Sequence, residues 1–227
     1  MNNNGTIYLS GGGNWNKTVT IDTHFLSSLP KKEILFLPIA KDVDLVDFNT
    51  RCRWLTTKLN KLKVGVVDVV MELDFNKCKN IDQVPALYLG GGNVYRLLKL
   101  MNESQFVHFL KEYIQDGGIV YGASSGSVIM GKDISTHIEE NEKYNYLLSD
   151  GLSFVGDYSI FCHFEEVNIE KIKNYIERKN NPVIGIPEGV ALLVKNRSIT
   201  IIGDGPVTFF EINGVMRKVM PNTTIDF

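Results

Sequence analysis

The sequence is poor in several residue types, and each scarcity argues against a class of protein. It has three cysteines and four histidines in 227 residues, and their spacing suits neither a disulfide scaffold nor a zinc site. We therefore expect reduced thiols, no metal and a cytoplasmic location. No apolar run approaches the roughly 18 residues of a membrane helix, and the polar first residues predict no signal peptide. The formal net charge of −2 comes without a basic run, which argues against nucleic acid or an anionic membrane as a partner.

What the sequence does have is an alternation of two hydrophobic periods, of two and of about 3.6 residues, which is typical of α/β proteins. Strands are predicted at 6–9, 33–38, 64–71, 86–89 and 119–121, and helices at 45–59, 94–100, 106–114 and 166–178. Asp42 or Asp44 is expected to cap the first helix and Ser104 the third. From residue 183 onward short strands follow one another, which predicts antiparallel strands appended to the main sheet at the C-terminus. We predict one domain over residues 1–227, an α/β fold with a doubly wound, mostly parallel sheet of flavodoxin-like type flanked by helices.

The most informative motif is Gly-Ala-Ser-Ser-Gly at 122–126, between two apolar runs. Gly-x-Ser-x-Gly at a strand-to-helix junction is the sequence form of a nucleophile elbow, a turn so tight that flanking positions must lack side chains. Ser124 would then stand at the top of the sheet. The backbone N–H of Ser125 would point from a helix N-terminus toward a developing oxyanion. Glycine and serine also fill ordinary loops, so a plain turn is the alternative.

A second glycine turn lies about thirty residues upstream, where Gly-Gly-Gly-Asn at 90–93 separates a predicted strand from a predicted helix. Consecutive glycines let a backbone approach a ligand and present free N–H groups. No Lys-Ser/Thr follows, and the spacing is not that of a dinucleotide fingerprint. Ligands of doubly wound sheets bind at the carboxyl ends of strands, so we expect this turn, the glycine turn at 11–13 and the turn at 122–126 to converge.

A serine nucleophile needs a base, and four histidines are available. His108 lies on a predicted amphipathic helix and should face solvent, His24 follows an expected strand end, and His137 lies in a polar segment. His163 lies in an apolar run, where a buried structural histidine is the usual finding. Cys162 precedes it, but neighbours on a strand point to opposite faces, so these two side chains should not meet.

Four motifs follow one another along the chain: Gly-Gly-Gly-Asn at 90–93, Gly-Ala-Ser-Ser-Gly-Ser at 122–127, Cys-His-Phe at 162–164 and Ile-Pro-Glu-Gly at 186–189. In this order they resemble the peptidase E family of serine peptidases, family S51, which also holds the cyanophycinases. The resemblance spans about residues 7–202. It implies a class I glutamine amidotransferase-like fold, no cofactor, and hydrolysis of a small peptide through an acyl-enzyme, with Ser124 as nucleophile and His163 as base.

The resemblance also implies the groups that would surround the substrate. The backbone N–H groups of Gly92 and Ser125 would form the oxyanion hole, in agreement with the two turns described above. Gly91 and Asn93 would contact the substrate. Asn93 also suits a helix N-cap, and both roles can hold because a cap uses one side-chain atom.

Two carboxylates are candidates for orienting the base. The resemblance points to Glu188, which lies between proline and glycine at a predicted strand end, a constrained setting for a fixed side chain. Glu139, fifteen residues after Ser124, matches a family position that often carries aspartate. Its charged neighbours at 140–143 are typical of a solvated segment. Glu188 is the preferred acid and Glu139 the alternative.

The expected substrate departs from the family pattern. Peptidase E enzymes cleave dipeptides with an N-terminal aspartate and hold its carboxylate with an arginine shortly after the histidine. Here Glu165, Glu166 and Glu170 follow His163, and the next arginine is Arg178. We therefore expect poor activity on aspartyl dipeptides, unless a distant cation enters the pocket.

Other functions stay open on the sequence alone. One alternative is a cyanophycinase-like or other amide or ester hydrolase. Another is a non-catalytic protein that binds a small molecule on the same fold, and the glycine loops leave nucleotide binding as a third. A monomer or a homodimer is expected.

Overall fold

The computed structural model describes residues 4–31, 33–41, 45–62, 68–71 and 86–227. The predicted cap at Asp42 or Asp44 lies outside these residues, as does the start of the predicted strand 64–71. None of the helices in the described part of the chain is long and apolar enough to cross a membrane.

The described elements alternate between strands and helices as the sequence predicts. The strands are β1 (Thr6–Ser10), β2 (Glu33–Leu37), β3 (Asp68–Met71), β4 (Ala86–Leu89), β5 (Ile119–Ala123), β6 (Ser159–Cys162), β7 (Val183–Ile186), β8 (Val190–Lys195), β9 (Ser198–Gly203), β10 (Val207–Phe210), β11 (Met216–Val219) and β12 (Thr224–Asp226). The helices are α1 (Trp15–Ser28), α2 (Leu45–Lys61), α3 (Val94–Glu103), α4 (Phe106–Gln115), α5 (Ser125–Val128) and α6 (Ile169–Lys179), with short 3₁₀ helices at Ser135–Asn141 and Glu166–Asn168.

The main sheet has eight strands in the order β12-β9-β8-β1-β5-β4-β2-β3. The five strands from β1 to β3 in this order pair in parallel, whereas β8, β9 and β12 pair antiparallel. This confirms the predicted α/β fold with a mostly parallel sheet and antiparallel strands at the C-terminus.

A second sheet, in the order β11-β10-β7-β6, corrects the prediction that the C-terminal strands all extend the main sheet. Here β6 and β7 pair in parallel, and β10 pairs antiparallel with β7. Both faces of this sheet are covered. Ile160 and Ile184 pack into the main core, while Phe161 and Phe210 pack with Tyr175 of α6.

Alternate side chains of the central strands enter two different cores. Tyr8, Tyr88 and Tyr121 lie side by side on neighbouring strands, and the rings of Tyr88 and Tyr121 stack at 4.5 Å. This face packs against α1 and α2. Ile7 and Val120 point to the opposite face, which packs against α3 and α4. The period of two along each strand therefore places one helical layer on each side of the sheet.

Helix α1 was not predicted from the sequence. Its apolar residues are few, and its buried face includes the polar residues Thr18 and Asp22. Asn14 begins the helix, because its side chain accepts hydrogen bonds from the N–H groups of Asn16 and Lys17. The prediction that His24 follows a strand end is wrong, since His24 lies on α1.

The predicted cap at Ser104 is also wrong. Its hydroxyl donates to the Leu100 carbonyl at 2.7 Å and so closes α3 instead of opening α4. Gln105, in the left-handed conformation with φ of 60°, makes the turn to α4. A serine hydroxyl can donate to a helix carbonyl or accept from a helix N–H. The position of Ser104 near a helix boundary therefore did not show whether it ends one helix or begins the next.

A buried carboxylate anchors the segment that carries the 3₁₀ helix Ser135–Asn141 to the sheet. Asp133 accepts hydrogen bonds from the Ser135 N–H at 2.8 Å, the Ser149 hydroxyl at 2.7 Å and the Lys179 ammonium at 3.1 Å. Burial alone would raise its pKa, but the hydrogen bonds from Ser135, Ser149 and Lys179 outweigh burial and leave the pKa below its ordinary value. Asp133 therefore stabilises the fold in its ionised form.

We expect Asp133→Asn to lower the free energy of unfolding by about 1–3 kcal/mol near pH 7, because the amide loses charge-assisted hydrogen bonds. A lowered pKa contributes stability above the unfolded-state pKa, and this contribution disappears as the pH falls through the folded-state value. The difference from wild type should therefore shrink near pH 3. Urea unfolding at both pH values measures it. Asp157→Asn is the control, because the Asp157 side chain is 85% exposed, and an equal effect of both substitutions would contradict the anchoring role.

Candidate active site

The carboxyl ends of three neighbouring strands bring the predicted motifs together. In the register of the sheet, Ser10 of β1 lies beside Ala123 of β5, and Leu89 of β4 lies beside Gly122. The glycine turns that follow β1 and β4 therefore flank the turn that follows β5, as predicted. They border a cleft of about 630 Å³ that includes Ser124 and His163. A cavity of about 690 Å³ beside the C-terminal strands includes neither residue.

Ser124 lies in a tight turn between β5 and α5, with φ of 52° and ψ of −110°. A Cβ atom on Gly122 would lie 2.5 Å from the Gly126 carbonyl oxygen, and one on Gly126 would lie 2.6 Å from that of Leu89. Only glycine fits at these two positions. The Ser127 hydroxyl donates to the carbonyls of Ser10 and Gly122, each at 2.8 Å, which ties the turn to β1.

Three of the predicted site residues form a hydrogen-bonded line. Ser124 Oγ lies 2.8 Å from His163 Nε2, and His163 Nδ1 lies 2.9 Å from Glu188 Oε1. An ionised carboxylate can only accept, so Nδ1 carries a proton, and in the neutral imidazole Nε2 then accepts from the serine hydroxyl. This arrangement can deprotonate the hydroxyl as it attacks a carbonyl carbon.

The backbone around His163 is shaped for this contact. His163 follows β6 with φ of 53°, and its N–H donates to the Gly11 carbonyl at 3.1 Å. Gly12, with φ of 92°, passes so close to the imidazole that a Cβ there would lie 2.5 Å from Cε1. The glycine turn after β1 thus serves as the surface against which the imidazole rests.

Glu188 has a second partner that the sequence did not suggest. Its Oε2 accepts a hydrogen bond from the Lys17 ammonium at 2.8 Å. Lys17 first and His163 second lower the pKa of Glu188 below its ordinary value, so the carboxylate stays ionised beside the imidazole. Lys17 carries no sequence signal of its own, because it lies in α1, which the hydrophobic pattern did not reveal.

The alternative acid is placed elsewhere. Glu139 forms an ion pair with Lys171 of α6, and His163 is not among its hydrogen-bond partners in the described part of the chain.

The other histidines lie apart from this hydrogen-bonded line. His137 packs against Phe161 with ring centroids 4.9 Å apart. Burial, with the nearby Lys171 charge, lowers the pKa of His137 to about 4, so it is neutral near pH 7. His108 is exposed, as predicted.

The two predicted oxyanion donors lie at the ends of the turns beside Ser124. Within the described residues, the N–H groups of Gly92 and Ser125 donate to no protein acceptor. Gly91 lies against the turn, since a Cβ there would be 3.4 Å from Ser124 Cβ. Asn93 caps α3 by accepting from the Arg96 N–H at 2.9 Å. The cap predicted for Asn93 is therefore present.

Glu140 holds the same loop from the other side. Its Oε2 accepts from the Val94 N–H at 2.7 Å, and its backbone carbonyl accepts from the Asn93 side chain at 2.7 Å. Burial raises the pKa of Glu140. Its carboxylate borders the cleft on the α3 side of the sheet. Glu140 was not predicted as a site residue, because the charged run 139–143 has the pattern of a solvated loop.

Cys162 lies beneath the site rather than in it. Its buried thiol is 3.4 Å from the Ser124 carbonyl oxygen. Burial raises the pKa of this thiol far above its ordinary value, so Cys162 is not a thiolate near neutral pH. Among the described residues no group of three or more His, Cys, Asp or Glu side chains could hold a metal ion.

Comparison with known proteins agrees with this geometry. The model of peptidase family S51 matches residues 6–202. The chain belongs to peptidase family S51. Peptidase E of Haemophilus influenzae (strain PittGG) is 24% identical over 216 residues, which cover 90% of this chain and 89% of the relative. A "Probable alpha-aspartyl dipeptidase" of Drosophila melanogaster is 22% identical over 156 residues, 64% of each chain.

A solved structure shares the fold of this S51 member. The crystal structure of a peptidase from an acI-B1 Actinobacterium superposes with a TM-score of 0.75 at 14% identity, covering 98% of this chain and 97% of that chain. At this identity the likeness shows the fold alone. Membership of family S51 supports a peptidase function.

We expect Gly12→Ala to push the His163 imidazole away from Ser124. Gly117→Ala is the matched control: Gly117 has φ of 97°, close to that of Gly12, but no atom lies within 4 Å of a Cβ placed there. Both variants should lose about 1 kcal/mol of stability from backbone strain. Crystal structures of the two variants measure the distance between Ser124 Oγ and His163 Nε2. It should exceed about 3.5 Å, the outer range of a hydrogen bond, in Gly12→Ala alone, and an unmoved imidazole there would contradict the packing argument.

Proposed function

We propose that this S51 member is a serine peptidase of peptidase E type that hydrolyses a small peptide through an acyl-enzyme. The observation that carries the proposal is the hydrogen-bonded line from Ser124 through His163 to Glu188, placed where three parallel strands end. An ordinary glycine-serine loop does not require a histidine and a carboxylate to be hydrogen-bonded to the serine in this order. The cleft beside it is large enough for a short peptide.

In the proposed reaction, Ser124 Oγ attacks the carbonyl carbon of the scissile peptide bond while its proton moves to His163 Nε2. The ionised Glu188 stabilises the imidazolium that forms. The N–H groups of Gly92 and Ser125 donate to the oxygen of the tetrahedral intermediate. His163 then protonates the leaving amine, and the acyl group stays on Ser124. A water molecule then attacks the ester carbonyl while His163 takes its proton, and His163 passes that proton to Ser124 Oγ as the acyl C–O bond breaks and the acid is released.

Substitution of Ser124 tests the nucleophile. Ser124→Ala should lower kcat by about 10⁶-fold, and His163→Ala should do the same, since the members of a triad act as a unit. Ser125→Ala is the matched control: its hydroxyl makes a single long hydrogen bond of 3.4 Å to Gly90 among the described residues, and its backbone donor survives. We expect less than about a tenfold loss there. Hydrolysis of a dipeptide library gives the rates.

Labelling with a fluorophosphonate separates an enzyme from a binding protein. An activated serine forms a covalent adduct at Ser124, and the folded Ser124→Ala variant forms none. Equal losses of kcat in Ser124→Ala and Ser125→Ala would contradict the assignment of the nucleophile. Absence of any adduct in the folded wild-type protein would favour a non-catalytic binding function.

Substitution of the two candidate acids tests which one orients His163. Glu188→Gln should lower kcat by roughly 10⁴-fold or less, because a neutral amide cannot stabilise the imidazolium. Glu139→Gln breaks only a partly exposed ion pair with Lys171, so a change of no more than about fivefold is expected. Steady-state kinetics of the two variants on one substrate compares them. A larger loss in Glu139→Gln would exclude Glu188 as the acid.

A further inference from the structure

A buried lysine borders the cleft on the side of α1 and α2. Lys58 of α2 is 4% exposed, and it is one of the residues that line the cleft with Ser124. Its ammonium lies 2.9 Å from Asp22 Oδ2 of α1. Lysine is almost never fully buried unless its charge has a partner, so this position needs an explanation in the fold or in the function.

The contacts of Asp22 do not account for all the N–H groups of the Lys58 ammonium. Asp22 also accepts from the Thr18 hydroxyl at 2.7 Å and from the Tyr121 hydroxyl at 3.1 Å. Burial raises the pKa of Tyr121 well above its ordinary value, so the phenol keeps its proton and donates. The carboxylate thus accepts two hydrogen bonds and forms an ion pair with the Lys58 ammonium. An ammonium has three N–H groups, and among the described residues its ion-pair partner is Asp22.

The cleft wall beside Lys58 would strengthen its interaction with an anion. The cleft wall beside it is aromatic, with the Trp54 ring centroid 5.1 Å from Nζ and Tyr88 and Tyr121 stacked on the sheet. An ion pair formed against such a wall is poorly screened by water. The α3 side of the cleft carries Glu140, which would repel an anion. Lys58 and Glu140 therefore border the cleft from opposite sides of the sheet, and Lys41 is a further cation in its lining.

The segment after His163 offers no comparable cation. Lys171 and Lys218 are 40% and 60% exposed, each pairs with a glutamate, and neither lines the cleft. A buried cation that borders the cleft lies instead in a different element, α2.

We propose that Lys58 binds a carboxylate of the peptide substrate, either its C-terminal carboxylate or an acidic side chain. This inference rests on the proposed function. Asp22, Thr18 and Tyr121 position the ammonium, and Lys58 determines specificity without taking part in bond cleavage.

Two matched pairs of peptides distinguish the two sources of the carboxylate. One pair compares a dipeptide acid with its C-terminal amide, and the other compares an Asp-leading with an Asn-leading dipeptide. The measured quantity is, for each pair, the ratio of kcat/KM for the acidic peptide to kcat/KM for its amide counterpart. Lys58→Met should lower one of these ratios by about 30-fold or more, the cost of losing a buried charged hydrogen bond, and Lys58→Arg should retain more of it. Lys61→Met on the same helix is the control and should leave both ratios unchanged, because Lys61 is exposed.

Stability and specificity are separable in this design. Lys58→Met leaves Asp22 buried without its cation, so the double variant Asp22→Asn/Lys58→Met provides a neutral pair if the single variant fails to fold. Loss of the acid preference in either folded variant supports the inference. Equal losses for acid and neutral peptides, or no carboxylate preference in the wild type, overturn it and leave the pair with a structural role.

Failure of the proposed function gives a different result. If the wild-type protein hydrolyses none of the four peptides, the peptidase proposal is overturned. Calorimetric titration of the same peptides into Ser124→Ala and into Ser124→Ala/Lys58→Met then decides the role of Lys58. A carboxylate preference in Kd that requires Lys58 supports the inference, and its absence overturns it.

Discussion

The close approach of backbone to backbone around Ser124 is the constraint on which the candidate site depends. A side chain on Gly122 would collide with the Gly126 carbonyl, and one on Gly126 would collide with the Leu89 carbonyl. Because both side chains are absent, α5 can start directly against the ends of β4 and β5. This contact brings the Ser125 N–H next to the glycine turn that holds Gly92, and it leaves the serine hydroxyl exposed to the cleft.

The second sheet positions His163 and Glu188. β6 and β7 are neighbours in parallel, with Cys162 beside Ile186, so His163 and Glu188 follow the ends of adjacent strands. That pairing explains how residues 25 positions apart form a hydrogen bond of 2.9 Å. The left-handed backbone of His163 then turns the imidazole over Gly12 and toward Ser124.

The partners of each carboxylate around the cleft fix its position. Glu188 is held between Lys17 and His163, whereas Glu139 is held by Lys171 on another element. Each pair fixes where a negative charge stays, and so decides which acid faces the imidazole. Glu140 accepts a hydrogen bond from the Val94 N–H at the start of α3. The charge pattern of the cleft is therefore set by partners from helices that are far apart in sequence.

The sequence by itself determined the features that short-range sterics control. A tight turn needs glycine on both sides of Ser124, and a period of two or of 3.6 follows from local backbone geometry, so the Ser124 turn and most elements were predictable. The preference for Glu188 came from family resemblance and from its place at a strand end. Tertiary structure alone decided α1, the second sheet, and the partners Lys17 and Lys58. These depend on which strands become neighbours, and strand order joins residues such as Lys17 and Glu188 whose distance along the chain leaves no local pattern.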